Sequence, residues 1–151
     1  RLDRMFDEGL YWHGNEPCHQ IAYLYNKAGA PWKTQQRIHH ILNTEYNDTP
    51  GGLSGNDDAG QMSAWYMFSA IGFYPVCPAT PYYYIGTPSF DKVTFNLENG
   101  RKFEIVAEGV DDENFYIQQV DLNGKSGYYL SHDDLLKGGK LSFRMGNTPK
   151  Y

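Results

Sequence analysis

The hydrophobic rhythm of this chain changes once, at Gly72-Phe73-Tyr74-Pro75, and that change limits the possible folds more than any other feature. Before it, apolar residues recur at helical spacing: Leu2, Met5 and Phe6, then Ile21, Leu24, Tyr25 and Ala28, then Ile38, Ile41 and Leu42. After it comes a linker punctuated by Pro75, Pro78 and Pro81, and then the period of two that suits half-buried strands. Helices are predicted over residues 16–29, with Gly29 as the stop, over 31–42, with Pro31 near the start, and over 59–71. Residues 1–12 read as the tail of a helix that Gly9 breaks. Strands are predicted over 82–86, 92–97, 102–107, 115–122 and 140–145, with turns at Asn99-Gly100 and Asn123-Gly124. Residues 127–130 are expected to pair back on 115–122, and 131–136 to form a short helical turn. The chain is therefore α+β: helices over 1–75, then a small β-rich domain over 76–151, expected to be an antiparallel sandwich.

The helix at 59–71 differs from the others. Met62, Ala64, Trp65, Met67, Phe68, Ala70 and Ile71 make it apolar nearly all round, the mark of a helix buried inside a larger body. With only 151 residues available to wrap it, the native protein is expected to be bigger.

Composition removes several classes. Net charge is −5, and the Lys and Arg residues are scattered, which gives no footprint for nucleic acid or an anionic membrane. Mean hydropathy is −0.62, and no apolar run approaches the roughly 20 residues of a membrane span. Cys18 and Cys77 allow one disulfide at most and match no zinc spacing, so two reduced thiols are expected. His39 and His40, being adjacent, point to different helix faces and do not chelate one metal together. Asn47-Asp48-Thr49 fits an N-glycosylation acceptor, a pattern short enough to recur by chance. The chain opens on Arg-Leu-Asp-Arg-Met, so an export signal is not read from it.

Two segments concentrate the chemistry. In Gly55-Asn56-Asp57-Asp58-Ala59-Gly60, two carboxylates and an amide sit on a glycine-bounded turn that runs straight into the apolar helix. One of Asn56, Asp57 and Asp58 is expected to cap that helix, which leaves a second acid to face water, a cation or a substrate. In Tyr11-Trp12-His13-Gly14-Asn15-Glu16-Pro17-Cys18-His19-Gln20, a glycine again precedes an amide and an acid, and Pro17 suits the first position of a helix. Two acidic helix starts facing one cavity would make a site of oxygen ligands and proton-transfer groups.

Together, His13-Gly14-Asn15-Glu16-Pro17 with His19, and Gly55-Asn56-Asp57-Asp58 with Gly60, Met62-Ser63-Ala64-Trp65 and Gly72-Phe73-Tyr74-Pro75, resemble the C-terminal part of glycoside hydrolase family 92. The resemblance runs from Leu2 to about Pro149. Members are calcium-dependent, exo-acting α-mannosidases that invert anomeric configuration. The resemblance implies that the helices belong to an (α/α)6 toroid and that the substrate is a mannose-containing glycan, of α-1,2 type. It also implies a secreted, periplasmic or cell-surface location.

By the same resemblance Asp58 is the general base, with Asp57 or Asn56 as its helper; some members carry an acid where this chain has Asn56. Asn15 and Glu16 are placed near the calcium or the sugar, with Gln20 a weaker metal candidate. Trp12 and His13 are placed at the sugar subsite, with His13 bonding a sugar hydroxyl or holding Asp58; Trp32, Trp65 and His19 read as packing. The family's acid belongs to a motif of the form Glu-Gly-Asn-x-x-Trp-Gln-Tyr, which is absent here. The chain is accordingly expected to need an upstream part of its own polypeptide and to be inactive alone. The competing readings are a calcium-dependent carbohydrate-binding module without catalysis and a purely structural domain.

Overall fold

A computed structural model describes residues 1–124 and 126–151. It has helices followed by two small sheets. Helix α1 is Leu2–Asp7, and Gly9 follows it in the left-handed region at φ 66°. The helix expected over 16–29 is instead broken into two 3-10 turns, Glu16–Cys18 and Ile21–Tyr23, and a short α2, Leu24–Lys27. The cause is visible in the bonding: His19 commits its ring and its carbonyl to distant partners, so the α-helical ladder is not continued through it. Pro31 opens α3, Pro31–Thr44, as its spacing predicted, and α4 is Gln61–Ile71, ended by Gly72 at φ 114°. Met62, Trp65, Ser69 and Ala70 form the buried face of α4, whereas Met67 is 58% exposed, so this chain covers the helix on one side only.

Strands β1, Phe73–Tyr74, and β2, Tyr82–Ile85, pair antiparallel, and β6, Tyr129–Ser131, adds to the other edge of β2. The second sheet has the order β3-β4-β7-β5, from β3 (Lys92–Asn96), β4 (Lys102–Glu108), β5 (Tyr116–Leu122) and β7 (Gly139–Gly146). Two expectations fail here. Residues 129–131 do not pair with β5 but cross to β2, with Tyr84 opposite Tyr129. Nor is the second sheet wholly antiparallel, because β4 and β7 run parallel. The crossover carries β5, β6 and the helix α5, His132–Leu136, ample for a parallel return that needs about a dozen residues. The Asn-Gly turns form as predicted, but a turn fixes only local reversal, and β7 offers β5 a longer partner than β6 can.

Phe73, Ile85 and Leu130 from the first sheet share one apolar core with Phe103, Ile105, Ile117, Leu141 and Phe143 from the second. A second core, Ala22, Tyr23, Ile38, Ile41, Trp65, Ala70, Tyr74 and Tyr84, lies among the helices. Side-chain bonds cross between helices and sheets. Gln35 Oε1 accepts from Ile117 N at 2.9 Å, and Asn26 Nδ2 donates to the Ile85 carbonyl at 2.7 Å. Cys18 is buried and Cys77 exposed, both as free thiols.

Candidate active site

The loop before the first 3-10 turn and the turn before α4 lie against each other, backbone to backbone. A Cβ added at Gly55 would sit 2.7 Å from the Gly14 Cα, and one at Gly14 would sit 2.7 Å from the Ser54 carbonyl oxygen. No side chain fits at either position, which is why a glycine precedes the acid in both segments.

Past Gly55 the chain turns through three consecutive left-handed residues, Asp58 at φ 47°, Ala59 at φ 57° and Gly60 at φ 96°. Only the last is a glycine, and residues other than glycine in this region cost of order 1–3 kcal/mol. The tight turn carries Asp57 back over the helix start. Asp57 Oδ1 accepts from Ser63 N at 3.0 Å and from Ser63 Oγ at 2.8 Å, which holds its carboxyl below the usual carboxylate range. Asp57 is thus the acid that caps α4, and Asp58 is left over.

Asp58 meets Glu16. The two carboxyls are near enough across the two segments to perturb each other's titration. That proximity raises the Asp58 pKa, helped by desolvation and by the charges of Glu16 and Asp57, and it lowers that of Glu16, whose own backbone N–H assists. Two carboxylates this close share either a proton or a cation. Asn15 is the N-cap of the Glu16–Cys18 turn but makes no side-chain cap bond, and its side chain is exposed. Asn56 is exposed next to them, and Trp12, 58% exposed, packs over Gly14. Gln20 is half-buried at the start of the second 3-10 turn; with no continuous α-helix here, it does not stand one α-helical turn above Glu16.

His13 requires a correction. Its ring is fully buried, with Nδ1 2.7 Å from the Tyr11 hydroxyl and Nε2 2.6 Å from the Tyr46 hydroxyl. Tyr46 donates its own proton to the Met62 carbonyl at 3.1 Å, so it accepts from Nε2–H of His13, whose Nδ1 accepts from Tyr11. Both nitrogens are taken, leaving none for a sugar hydroxyl or for Asp58. Burial, and secondarily the neighbouring His19, push its pKa down to about 3, so the ring is neutral. Tyr11 opens the segment that carries His13, whereas Tyr46, which completes this chain of bonds, is 33 positions from His13, and no local pattern marks it. His39 stacks on Phe115 at 4.0 Å, and His40 is exposed, so the pair is indeed split between faces.

The donor chemistry suits a hard cation: carboxylate and amide oxygens from Asn15 and Glu16, beside Asp58. They fill only part of a coordination sphere, since among the described residues no group of three His, Cys, Asp or Glu is gathered to hold a metal. A cleft of about 580 Å³ runs along α4, lined by Leu42, Tyr46, Asn47, Leu53, Ser63, Tyr66 and Met67 among others, and it contains none of Asn15, Glu16 or Asp58. No helix among the described residues is long and apolar enough to cross a membrane.

Comparison with known proteins gives the family. Residues 1–147 match the glycosyl hydrolase family 92 catalytic domain. A curated relative from Arthroderma benhamiae, described as an uncharacterized secreted glycosidase, is 34% identical over 97% of this chain and 20% of its own length. The structure of a family 92 α-mannosidase from Bacteroides thetaiotaomicron in complex with mannoimidazole superposes with a TM-score of 0.88 at 49% identity, over 93% of this chain and 19% of that one. A family 92 inverting mannosidase from the same organism gives 0.87 at 44% identity, over 95% of this chain and 20% of its own. This chain spans about a fifth of the length of the relatives it matches.

Proposed function

The chain belongs to glycosyl hydrolase family 92, and on that premise we propose that it supplies the general base and part of the metal and sugar site of an inverting, calcium-dependent exo-α-mannosidase of α-1,2 type. One observation carries the reading: the two acid-bearing segments lie backbone to backbone at Gly14 and Gly55, which sets Glu16 and Asp58 beside one another. An inverting glycosidase needs its acid and base roughly 6.5–9.5 Å apart, with a water between, and a retaining one about 5–5.5 Å. We assign Glu16 to the metal and sugar site and not to the role of the acid that partners Asp58. The acid comes from another part of the longer polypeptide, and the 151 residues alone release no mannose.

In this reading Asp58 takes the proton from the attacking water. A carboxylate raised above its ordinary pKa is the stronger base for that transfer. Asp57, by capping α4, fixes the turn that presents Asp58, and exposed Asn56 helps to place the water. Asn15 and Glu16 would hold calcium, with Gln20 nearby; the ion would supply Lewis-acid contact to adjacent sugar hydroxyls. Exposed Trp12 offers an apolar face to the pyranose ring. The helices take their place in an (α/α)6 toroid, the sheets form the sandwich behind it, and the parent enzyme is exported like the secreted relative.

The test is mannose release from a simple α-mannobiose by the full-length protein, with calcium, with chelator and as Asp58→Ala. The expected result is activity lost under chelator and reduced on the order of 10²–10⁴-fold in the variant, the range for a general base. Activity indifferent to both would return Asp58 to a structural role. Calcium-dependent sugar binding without turnover would make the protein a binding module.

A further inference from the structure

We propose that His19 is the positioning residue of this site, setting the approach of Glu16 to Asp58 through a clamp closed by Gln61; this rests on the reading of Asp58 as the base. His19 is 1% exposed, so it touches no substrate, and its polar atoms are all spent on the two segments that carry the acids. Ring Nε2 lies 3.1 Å from the His13 carbonyl oxygen, which can only accept, so Nε2 bears the proton. Nδ1 is then a lone pair, and it accepts from the Gln61 side-chain amide at 3.1 Å. The same Gln61 nitrogen gives its second hydrogen to the Tyr74 hydroxyl at 3.2 Å. The His19 carbonyl accepts from Trp65 Nε1 at 2.9 Å.

The consequence is geometric. Glu16 precedes His19 by three residues, and Asp58 precedes Gln61 by three, so the His19–Gln61 bond joins the two acid-bearing segments at matched distances along the chain. The contact between Gly14 and Gly55 brings the backbones together without a directed bond, and the left-handed turn at 58–60 is strained. Left to themselves these loops have no reason to hold one carboxyl against the other. A clamp anchored to two successive turns of α4 gives them one. A merely space-filling role would be served by an apolar ring, whereas this ring donates from Nε2 and accepts at Nδ1, both to fixed partners.

The test uses the full-length protein and the mannobiose assay. His19→Ala is expected to lower kcat about 100-fold, the cost of a small misplacement, with KM little changed. His19→Gln keeps a donor for the His13 carbonyl and is expected to recover most of kcat. Gln61→Leu removes the other end of the bond and is expected to lower kcat likewise, with the double variant His19→Ala/Gln61→Leu no worse than the poorer single. Thermal midpoints identify the variants that fold; should His19→Ala not fold, Gln61→Leu carries the test through its kcat alone. An inactive Asp58→Ala beside His19→Ala and Gln61→Leu whose kcat stays within about twofold of the parent overturns the clamp and leaves the base standing. A fully active Asp58→Ala overturns the base, and the clamp with it.

Discussion

On the sheet side the buried core is made of Ile85, Phe103, Ile105, Ile117, Leu130, Leu141 and Phe143, none of which has a side-chain hydrogen bond to make. On the helix side the interior is Tyr23, Trp65 and Tyr74 with His13 and His19 among them, and nearly every ring is bonded: Tyr23 to Ser69 at 2.8 Å, Trp65 to the His19 carbonyl at 2.9 Å, His13 to two tyrosines. His13 also sits edge-on to Trp65 with centroids 4.2 Å apart. Dispersion and burial have no direction, so the sheet core is specified by volume and tolerates exchange of one apolar shape for a similar one. Hydrogen bonds are directional and costly to leave unmade, so the helix core is specified by geometry. The acids sit over the second core. The lesson is that a core can act as a positioning device as well as a source of stability, and that the bonded core does so here.

That contrast can be broken by variants made in the full-length protein. Leu141→Ala, in the sheet core, is expected to cost about 2–5 kcal/mol of stability, with the specific activity of folded molecules unchanged. Denaturant unfolding with activity per folded molecule measures both; a fall in specific activity would mean that the sheet core positions the site too. Tyr46→Phe, in the helix core, removes no volume from the ring but leaves His13 Nε2–H and the Met62 carbonyl without their partner. The expected cost is smaller, about 1–3 kcal/mol, yet specific activity drops. Unchanged turnover would reduce the bonded core to packing.

The most gradual effect, spread over several pH units, is a pH dependence. His13 is neutral when folded, its pKa held down to about 3 by burial, while in the unfolded chain it titrates near the ordinary histidine value of about 6.5. Above that value neither state binds the proton and stability is full. As pH falls below it, only the unfolded state is protonated, and stability declines by up to about 1.4 kcal/mol per pH unit towards the folded value. Unfolding curves between those limits should show the decline, and His13→Gln should flatten it. An identical slope in the variant would assign the loss to other groups.

Much of this arrangement is legible in order along the chain. The periodicity places α3, α4 and most strands, because helix and strand patterns are local consequences of which side must be buried. The paired glycines, amides and acids mark the two site segments, because close backbone approach and helix starts demand those residue types. Other features are decided elsewhere. Which acid caps α4 depends on a left-handed turn through Asp58 and Ala59, which are not glycines and give no signal of it. His13 is adjacent to the acids in sequence yet turned inward, because two tyrosines from other segments offer its ring better partners than water does. The pairing of β6 with β2, and the parallel run of β4 beside β7, follow from competition between distant strands that no turn encodes. The sequence by itself determined where the helices give way to strands and which two segments gather acids and amides behind a glycine, since those depend on side-chain type and spacing. Only the tertiary structure decided that the Glu16 and Asp58 segments lie together and that His19 joins them, because contact between residues 42 positions apart is a property of packing.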